Sequence, residues 1–506
     1  MNFYCIIYNN RRFCMKYLLT AAQSGIADRY AMKEIHIPSL VLMERASLAV
    51  AEKILSEYTE NSRILIAAGT GNNGGDGVAI ARMLFEKGFS PEILLAGDPA
   101  KYSPQMKQQL DIISYYKPVF IEHIEKEYDL IVDAVFGFGL SREVRGVFAE
   151  IIREINESHA KVISVDIPSG IHTDTGEVMG TAVRADETVT FTAGKPGLFL
   201  DPGRSYAGKV CIKEIGIPVK AEHLRDNMIC ILEEDDLFGL NNRDEAGNKS
   251  TFSKILVIAG SESMFGAAYL SACAALKTGA GMVKVFTHRI NRTPLASLMP
   301  EALMDLYTEE DFDQKKLIED IQWADVCLIG PGLGQNTISE RITETFILAN
   351  DKPFVMDADA LNIMSVHPEW WQLINKKCII TPHIGEMSRL TGISFRELKR
   401  DPVKAARTFA LKHHVSCVMK DARTVTAEPD GTVWINIRGN STLATAGSGD
   451  VLSGIIAGIL GQNIKCNLHI SSEGAAGAFI HGVCGEKAGE RFGRAAAMAG
   501  NLLAFI

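Results

Sequence analysis

One segment in the first half of the chain concentrates glycine, asparagine and aspartate: residues 68–77 read AGTGNNGGDG. It follows the apolar run 64–68, which is typical of a buried strand, and precedes VAIARMLFEKG, where apolar residues recur at helical spacing. Glycine lets a ligand approach the backbone, and N–H groups at a helix start attract anions. The segment therefore predicts a site for a phosphate-bearing ligand, with a tight turn that holds no ligand as the alternative.

Two further apolar runs of the first half end in a carboxylate. Asp133 lies in LIVDAVFGFGLSRE, and Asp166 ends the run VISVDIPSG, three residues before Ser169. A buried carboxylate is costly unless it is paired or bound to a cation, although each could instead be a cap or turn residue. Asn73, Asp133 and Ser169 offer only oxygen ligands, which suit a hard cation and not zinc.

The second half carries its own glycine-rich segment, ATAGSGDVLSG at residues 444–454. Gly447 and Gly449 precede Asp450, and a helix rich in glycine, alanine and apolar residues follows. N–H groups at that helix start could stabilise a phosphoryl group in transfer, while Asp450 accepts a proton from a substrate hydroxyl. The alternative is an aspartate that only complements the helix dipole.

Other residues of the second half follow apolar runs and are expected at the same edge of a sheet. They are the glycine turn GPGLG (330–334), Asp357 and Asp359 in VMDADALN, His383 in TPHIGEM, and Lys420 and Thr424 in MKDART. Lys420 suits a nucleotide phosphate. His383 could equally be structural, and the two aspartates could be turn residues or carboxylates near a metal.

The positions of these residues depend on an alternation of strands and helices in both halves. In the first half, residues 16–60 are predicted to be helical, and the predicted strands are 63–68, 92–96, 130–136, 161–166, 188–192 and 209–215. In the second half they are SKILVIAG, 282–286, 326–330, 353–356, 378–381 and 415–419, with a hairpin turning at 429–431. This rhythm predicts α/β domains whose largely parallel sheets are covered on both faces and bind ligands beyond the carboxyl ends of their strands.

Length and composition limit the classes of protein. The chain has 506 residues, 47% hydrophobic and 22% charged, with a formal net charge of −9, so nucleic acid and acidic membranes are disfavoured as partners. Ten scattered cysteines without ligand spacing indicate free thiols and a cytoplasmic location, and the apolar runs are too short for a membrane helix. A polar stretch over 217–250 marks a domain junction near residue 220, and residues 1–14 are expected to be a disordered or mis-started tail.

The first-half motifs, in their order and spacing, resemble the YjeF N-terminal domain, an NAD(P)H-hydrate epimerase. The motifs are LMERA, AGTGNNGGDG, DAVFGFGLSRE and VDIPSG. The resemblance implies a Rossmann-like αβα domain over residues 15–220, with K⁺ held by Asn73, Asp133 and Ser169, and Asp166 as acid/base. The residues that it places against the hydrated dinucleotide are Asn72, Asn73, Gly74, Gly75, Asp76, Gly137, Phe138, Gly139, Leu140, Ser141, Arg142, Glu143 and Asp166.

The second-half motifs resemble the ribokinase-like YjeF C-terminal domain, an NAD(P)H-hydrate dehydratase, over residues 225–506. The resemblance implies that ADP with Mg²⁺ is the co-substrate and that Asp450 is catalytic. It places Ala267, Gly334, His383 and Asp450 against the hydrate, and Lys420, Asp421, Ala422, Arg423, Thr424 and Gly449 against the nucleotide. GSESMFGAA, which contains Ala267, is looser than the family's usual glycine-rich loop.

Together the two resemblances imply a bifunctional repair enzyme. It would interconvert the R and S hydrates of NADH and NADPH, and would dehydrate the S form with ADP to give NAD(P)H, AMP and phosphate. The family also suggests a homo-oligomer such as a tetramer. The alternative is a ribokinase-like vitamin kinase with a non-catalytic nucleotide-binding module in the first half.

Overall fold

The structure is a computed structural model, and it describes residues 6–8, 11–13, 16–125, 127–220, 228–237, 240, 243, 245–466, 468 and 470–506. The chain divides into an N-terminal unit, residues 17–229, and a C-terminal unit, which comprises residues 230–506 and residues 1–16. Within the expected tail 1–14, the described residues form two short antiparallel strands, β1 (Ile6–Tyr8) and β2 (Arg11–Phe13), and the rest of that prediction lies outside the described residues.

The first part of the chain forms a parallel sheet with interleaved helices. A short strand, β3 (Lys16–Leu18), precedes this sheet and is not part of it. The strands of the sheet are β4 (Ile64–Ala68), β5 (Glu92–Leu95), β6 (Val119–Ile121), β7 (Leu130–Ala134), β8 (Lys161–Val165), β9 (Glu187–Phe191) and β10 (Lys209–Lys213). The helices are α1 (Ala21–Lys33), α2 (Ser39–Glu57), α3 (Asn72–Glu86), α4 (Pro104–Ile113), α5 (Val147–Glu157) and α6 (Gly203–Ala207).

The seven-stranded sheet of the N-terminal unit has the order β10-β9-β8-β7-β4-β5-β6, and its neighbours pair in parallel. Alternate residues of β4 face opposite sides: Ile64 and Ile66 pack with α1, α2 and α3, whereas Leu65 and Ala67 pack with α5. The sheet is therefore the middle of three layers, as predicted, and its buried strands are apolar on both faces.

The remaining strands and helices build the C-terminal unit. The strands are β11 (Ile229–Ile231), β12 (Lys254–Ile258), β13 (Met282–His288), β14 (Leu303–Tyr307), β15 (Val326–Ile329), β16 (Phe354–Met356), β17 (Cys378–Ile380), β18 (Ser416–Met419), β19 (Val425–Ala427) and β20 (Val433–Ile435). The helices are α7 (Phe265–Lys277), α8 (Arg292–Leu298), α9 (Gln314–Trp323), α10 (Thr337–Ala349), α11 (Asp359–Val366), α12 (Ile384–Thr391), α13 (Phe395–Arg400), α14 (Pro402–His413), α15 (Ser448–Cys466), α16 (Glu473–Phe492) and α17 (Ala499–Leu502).

The sheet of this unit follows the order β14-β13-β12-β15-β16-β17-β18-β19-β20-β11. It is parallel from β14 to β18, and β19 and β20 form the predicted antiparallel hairpin. Helices α7 and α15 pack closely on one face because α15 carries glycines at the contact. A Cβ on Gly454 would lie 2.2 Å from the carbonyl oxygen of Ser271, so the Gly/Ala-rich character of α15 reflects helix packing.

The predicted strands are found within a few residues of their expected ends, and Pro38–Ser39 begins α2 as expected. The pattern missed β6, β11 and β14, and the helical prediction for residues 16–60 was wrong at Lys16–Leu18, which is β3. Cys327, Cys378 and Cys417 are buried free thiols, as predicted. Across the described part of the chain, no helix is both long and apolar enough to cross a membrane.

Candidate active sites

The first candidate site lies where the strand order of the N-terminal sheet reverses. The chain runs outward from β4 through β5 to β6 and then returns to place β7 on the other side of β4. The segments after β4 and β7 therefore diverge, and a crevice opens between them at the carboxyl ends of the strands. Both segments singled out in the sequence, 68–77 and 133–143, lie at this position.

Helix α3 begins at Asn72, which is earlier than the sequence pattern predicted. Residues 72–77 are its first turns, and only 69–71 form the connection from β4. A Cβ on Gly74 would lie 1.9 Å from the carbonyl oxygen of Gly69, and one on Gly69 would lie 2.0 Å from that of Val135. These glycines are required for the close approach of three backbone segments, which brings the start of α3 to the crevice.

The crevice holds a cavity of about 670 Å³. Of the residues implicated by the sequence, its lining contains Asn72, Asn73, Asp76, Gly137, Phe138, Gly139, Leu140, Ser141, Arg142 and Asp166. Gly74 and Gly75 are buried in α3, outside this lining. Glu143 also lies outside it, where its exposed carboxylate pairs with Arg145 at 2.6 Å.

Asp166 is held by a buried lysine that the sequence analysis did not identify. Lys195 is 3% exposed, and its Nζ donates to Asp166 Oδ1 at 2.6 Å, to Thr190 Oγ1 at 2.7 Å and to the Phe191 carbonyl at 3.0 Å. Asp166 Oδ2 accepts the Phe138 N–H at 3.3 Å, and the backbone of Asp166 is left-handed, with φ of +69°. A lysine in the glycine-containing segment AGKPG, directly after a strand, is the signal that could have pointed to this pair.

Two more carboxyl groups line the same cavity. Burial raises the pKa of Asp28 to about 6; Lys195 opposes this shift, and Asp166 adds to it. Burial also raises the pKa of Asp76 well above its ordinary value, with further contributions from Asp166 and Asp28. Asp28 lies on α1, where the sequence showed only a helix, so periodicity gave no signal for it.

Asp133 forms a closed set of hydrogen bonds beneath the cavity. It is fully buried and accepts from Ser169 Oγ at 2.5 Å, Ser169 N at 2.9 Å, Ser164 Oγ at 2.8 Å and Val135 N at 3.3 Å. All four donors are neutral, and burial raises the pKa of Asp133 although these bonds lower it. The side chain of Asn73 lies beside Gly137, and its buried Nδ2 has no hydrogen-bond partner among the described residues.

The second candidate site lies at the corresponding point of the C-terminal sheet. There β12 leads outward to β13 and β14, and β15 returns to the other side of β12, so the segments after β12 and β15 diverge. The turn 330–334 follows β15, with left-handed backbone at Gly330, Gly332 and Gly334. A Cβ on Gly332 would lie 2.8 Å from the Cβ of Ala267, so this turn and the start of α7 are in contact.

Asp450 lies in the first turn of α15, as the sequence indicated. Burial raises its pKa to about 7; Asp357, Asp359 and Glu386 contribute to the increase, and Lys420 opposes it. Such a carboxyl group is close to half ionised near neutral pH, which suits proton transfer. Ser448, two residues earlier, is bonded to Nε2 of buried His481 at 3.0 Å, and burial lowers the pKa of His481 to about 4.

Lys420 connects the start of α15 to the end of β16. Its Nζ donates to Asp357 Oδ1 at 2.9 Å and lies 3.2 Å from the position of a Cβ on Gly449. Burial lowers the pKa of Lys420, but the negative charges of Asp357, Glu386 and Asp450 raise it by more. The pKa of Lys420 therefore lies above its ordinary value. A charged ammonium is thus fixed beside the segment that was predicted to receive phosphoryl groups.

The remaining residues predicted for this site differ in how far their side chains are exposed. His383 caps α12, and its side chain is about half exposed; burial lowers its pKa. Gly334 donates its N–H to Asp359 at 2.8 Å, so Asp359 fixes this glycine turn. Asp421 and Ala422 are exposed, Thr424 is partly exposed, and Arg423 is buried with its guanidinium directed at the carbonyls of Arg438 and Gly439.

The sequence analysis also missed Glu386 in this site. Burial raises the pKa of Glu386 to about 7, and Lys420 lowers it. Its Oε2 accepts the backbone N–H of His383 at 2.8 Å, which completes a capping box at the start of α12. The pattern H-x-x-E after a strand is the signal that was available.

Two family models match separate parts of the chain. A family model described as NAD(P)H-hydrate dehydratase matches residues 255–506, and one described as YjeF-related protein N-terminus matches residues 39–197. A bifunctional NAD(P)H-hydrate repair enzyme Nnr of Moorella thermoacetica is 36% identical over 97% of this chain and 96% of its own. One of Thermofilum pendens is 34% identical over 93% of this chain and 91% of its own.

Among solved structures, an ADP/ATP-dependent NAD(P)H-hydrate dehydratase from Bacillus subtilis, co-crystallised with ATP and Mg²⁺, is similar to part of the chain. It is 27% identical and covers 56% of this chain and 94% of its own, with a TM-score of 0.45. The two resemblances noted in the sequence are confirmed by the family models and by the full-length relatives. The chain therefore belongs to the family of bifunctional NAD(P)H-hydrate repair enzymes.

Proposed function

We propose that this chain repairs hydrated nicotinamide dinucleotides in two steps. The N-terminal unit interconverts the R and S hydrates of NADH and NADPH. The C-terminal unit dehydrates the S form at the expense of ADP and releases NAD(P)H, AMP and phosphate. The observation that supports this most strongly is the alignment, over nearly the full chain, with relatives that carry the bifunctional repair name.

The first reaction follows from the chemistry of the hydrate. Carbon 6 of its ring carries a hydroxyl group next to the ring nitrogen. Once the hydroxyl group is protonated, the nitrogen lone pair expels it as water and an iminium forms. Water then adds to either face of this iminium. Asp166 transfers a proton in this exchange, and Lys195 and the Phe138 N–H hold its carboxylate at the cavity. The start of α3 and residues 137–142 bind the dinucleotide.

Potassium fits the residues beneath this cavity. Asp133 is fully buried, and the described groups that donate hydrogen bonds to it are all neutral. A bound monovalent cation would therefore supply the positive charge that compensates its carboxylate. Asn73, Asp133 and Ser169 would hold it through oxygen atoms, which hard cations prefer. Bound there, K⁺ would add positive charge next to the segment that receives the pyrophosphate.

The second reaction improves a poor leaving group. Asp450 takes the proton of the 6-hydroxyl of the S epimer, whose oxygen attacks the β-phosphorus of ADP and displaces AMP. Phosphate then departs from carbon 6, and loss of a ring proton restores NAD(P)H. Lys420 and the N–H groups at the start of α15 stabilise the transferring charge.

The nucleotide and hydrate contacts proposed for this unit are those that the sequence resemblance implies. Ala267, Gly334 and His383 contact the hydrate, while residues 420–424 and Gly449 contact ADP. Mg²⁺ would be held mainly by the ADP phosphates, because the described residues contain no cluster of three or more histidine, cysteine or acidic ligands. When bound, it supplies charge neutralisation of those phosphates.

The vitamin-kinase alternative differs in its products and lacks support from the relatives. A kinase would leave a stable phosphorylated compound, whereas the proposed reaction ends in AMP and phosphate. The relatives align across both halves, which also argues against a first half that only binds nucleotide.

The test is the Asp450→Asn variant of the full chain. We expect it to lose ADP-dependent consumption of the hydrate while still epimerising the R and S forms, as measured by chromatography of the two epimers. Full dehydratase activity in this variant would refute the role of Asp450. Failure of the wild-type chain to release AMP would refute the reaction itself.

A further inference from the structure

Helix α1 presents one face to the first-site cavity. Ser24, Asp28 and Met32 recur every four residues along this helix and all three line the cavity. Residues four apart on a helix lie on the same side, so the three side chains form a continuous strip of the cavity wall.

The helix is fixed firmly at its N-terminus. Thr20 and Gln23 form a capping box there, and the Ala21 N–H donates to Asp174 Oδ1 at 2.7 Å. The strip is therefore held in place by contacts outside the cavity, and its own polar groups are not needed for anchoring.

Two polar groups of this strip lack hydrogen-bond partners among the described residues. Ser24 is 7% exposed, and its hydroxyl oxygen has no hydrogen-bond partner among the described residues. The Asp28 carboxylate likewise makes no hydrogen bond or ion pair with a described side chain, in contrast to Asp166, which accepts from Lys195, Thr190 and Phe138. The Ser24 hydroxyl and the Asp28 carboxyl group lie one turn apart and face the same cavity. Because buried polar groups are normally hydrogen-bonded, we infer that these two bind a ligand.

The charges around the cavity do not balance when all three carboxyl groups are ionised. Asp28, Asp76 and Asp166 line it together with two cationic side chains, Arg142 and Lys195, and Lys195 is bonded to Asp166. Carboxyl groups that interact in a confined site do not all ionise together, so a proton is retained by Asp28 or Asp76. The cavity thus contains a carboxylate paired with lysine and carboxylic acid available beside it.

We propose that Asp28 is a second catalytic residue of the epimerisation, the acid that protonates the departing 6-hydroxyl, and that Ser24 positions the ring. This inference rests on the proposed epimerase function. Inversion at carbon 6 needs proton transfer on both faces of the ring, and Asp28 and Asp166 come from different elements of one cavity wall.

The step balances without a redox change. Asp28 gives its proton to the 6-hydroxyl, the bond from carbon 6 to oxygen breaks, and the ring nitrogen lone pair forms the iminium while water leaves. A water molecule then adds to the other face of carbon 6 and gives a proton to the Asp166 carboxylate. Proton exchange with solvent restores both groups, and the reverse reaction uses them in the opposite roles.

The ionisation of Asp28 supports its role as acid. Its pKa of about 6 reflects burial, the opposing charges of Lys195 and Arg29, and the like charge of Asp166; Asp76 also faces the cavity. The acid form is lost as pH rises through this value. We therefore expect kcat/KM for epimerisation to decline above about pH 6 in the wild-type chain.

The test compares the full-length wild type with Asp28→Asn. We expect kcat for epimerisation to fall by about 10²-fold or more, the usual contribution of a general acid, with little change in KM and loss of the decline above pH 6. Ser24→Ala should lower kcat/KM by about 3- to 10-fold, as for one hydrogen bond. An unchanged kcat in Asp28→Asn, or a rise in KM alone, would overturn the proposal.

Two controls separate chemistry from folding. Asp174→Ala loosens the anchor of the same helix outside the cavity, and it should lower the melting temperature but keep the pH profile. Asp28→Glu restores an acid, so it should recover the decline with pH; its failure to do so would count against the proposal even if Asp28→Asn folds poorly. A wild-type chain that does not epimerise at all would instead contradict the proposed function, and dehydration of the S epimer by each variant verifies that the chain is intact.

Discussion

At the scale of single residues, the first site depends on a buried ion pair. Lys195 and Asp166 are 3% and 5% exposed and are joined at 2.6 Å, and each has further hydrogen bonds. Removing one partner of such a pair leaves a buried charge without compensation, which costs far more than the loss of a surface pair. The lysine is therefore expected to matter for both stability and catalysis.

Lys195→Met should reduce the free energy of unfolding of the N-terminal unit by about 3–5 kcal/mol and lower the epimerisation rate, because Asp166 loses its counter-charge. Denaturant unfolding and epimer chromatography measure the two effects. Lys161→Met is the matched control, since Lys161 pairs with Asp186 at 2.7 Å on the exposed surface, and it should change neither quantity appreciably. Equal behaviour of the two variants would contradict the importance assigned to the buried pair.

The rate of dehydration at the second site should depend on pH if Asp450 is the base. A base must be deprotonated, and the pKa of Asp450 is raised to about 7, so kcat/KM for dehydration of the hydrate should rise with pH up to about 7 and level off above it. Lys420 favours the charged form of Asp450, so Lys420→Gln should move this rise to higher pH. Rates measured from pH 5 to 9 with saturating ADP test both statements, and a shift to lower pH in the variant would contradict them.

At the scale of secondary structure, both sites are built by short connections after parallel strands. The sequence predicted most of these strands well because each is a buried apolar run closed by glycine or a polar residue. The edge strand β6 was missed because Val119 and Phe120 are substantially exposed and the strand has only three residues. The early start of α3 was missed because glycine and asparagine have poor helix propensity, and close packing of Gly75 on Met43 and of Gly77 on Ala134 overrides that preference.

Candidate site residues could be predicted from the sequence where they lie in a short motif. Asp166 and Asp450 could be identified as candidates because each stands in a short motif at the end of a strand or the start of a helix. Lys195, Asp28 and Glu386 were not found, because their importance arises from approach in space to residues far away in the chain. Helix periodicity alone cannot distinguish Asp28 from an ordinary solvent-facing aspartate.

The turn into α3 offers a direct test at this scale. Gly74→Ala should destabilise the N-terminal unit by at least about 2 kcal/mol and abolish epimerisation, because the new Cβ would meet a backbone carbonyl at 1.9 Å. Gly25→Ala in α1 is the control, since its Cβ would meet only the end of Arg29 at 3.4 Å, and it should be neutral or slightly stabilising. Thermal unfolding and epimerisation rates measure both variants, and a fully active Gly74→Ala chain would contradict this account of the turn.

At the scale of the whole molecule, the two α/β units form their candidate sites in the same way but with different catalytic groups. In each, the strand order reverses at a crevice, and a glycine-rich connection leads into a helix that begins there. One crevice contains a carboxylate fixed by a lysine, and the other a carboxyl group whose pKa lies near neutrality. A single chain with both sites can use either epimer of the damaged cofactor, since the first site supplies what the second consumes.

The central claim is best tested by giving purified wild-type chain a mixture of R and S hydrates with ADP and Mg²⁺. The absorbance of reduced nicotinamide is followed to completion, and AMP and phosphate are quantified. We predict complete conversion with one AMP and one phosphate for each NAD(P)H, whereas Asp166→Asn should slow markedly once the S epimer is consumed. Conversion by the wild type that stops at the S fraction, or a stable phosphorylated product without AMP and phosphate release, would contradict the account.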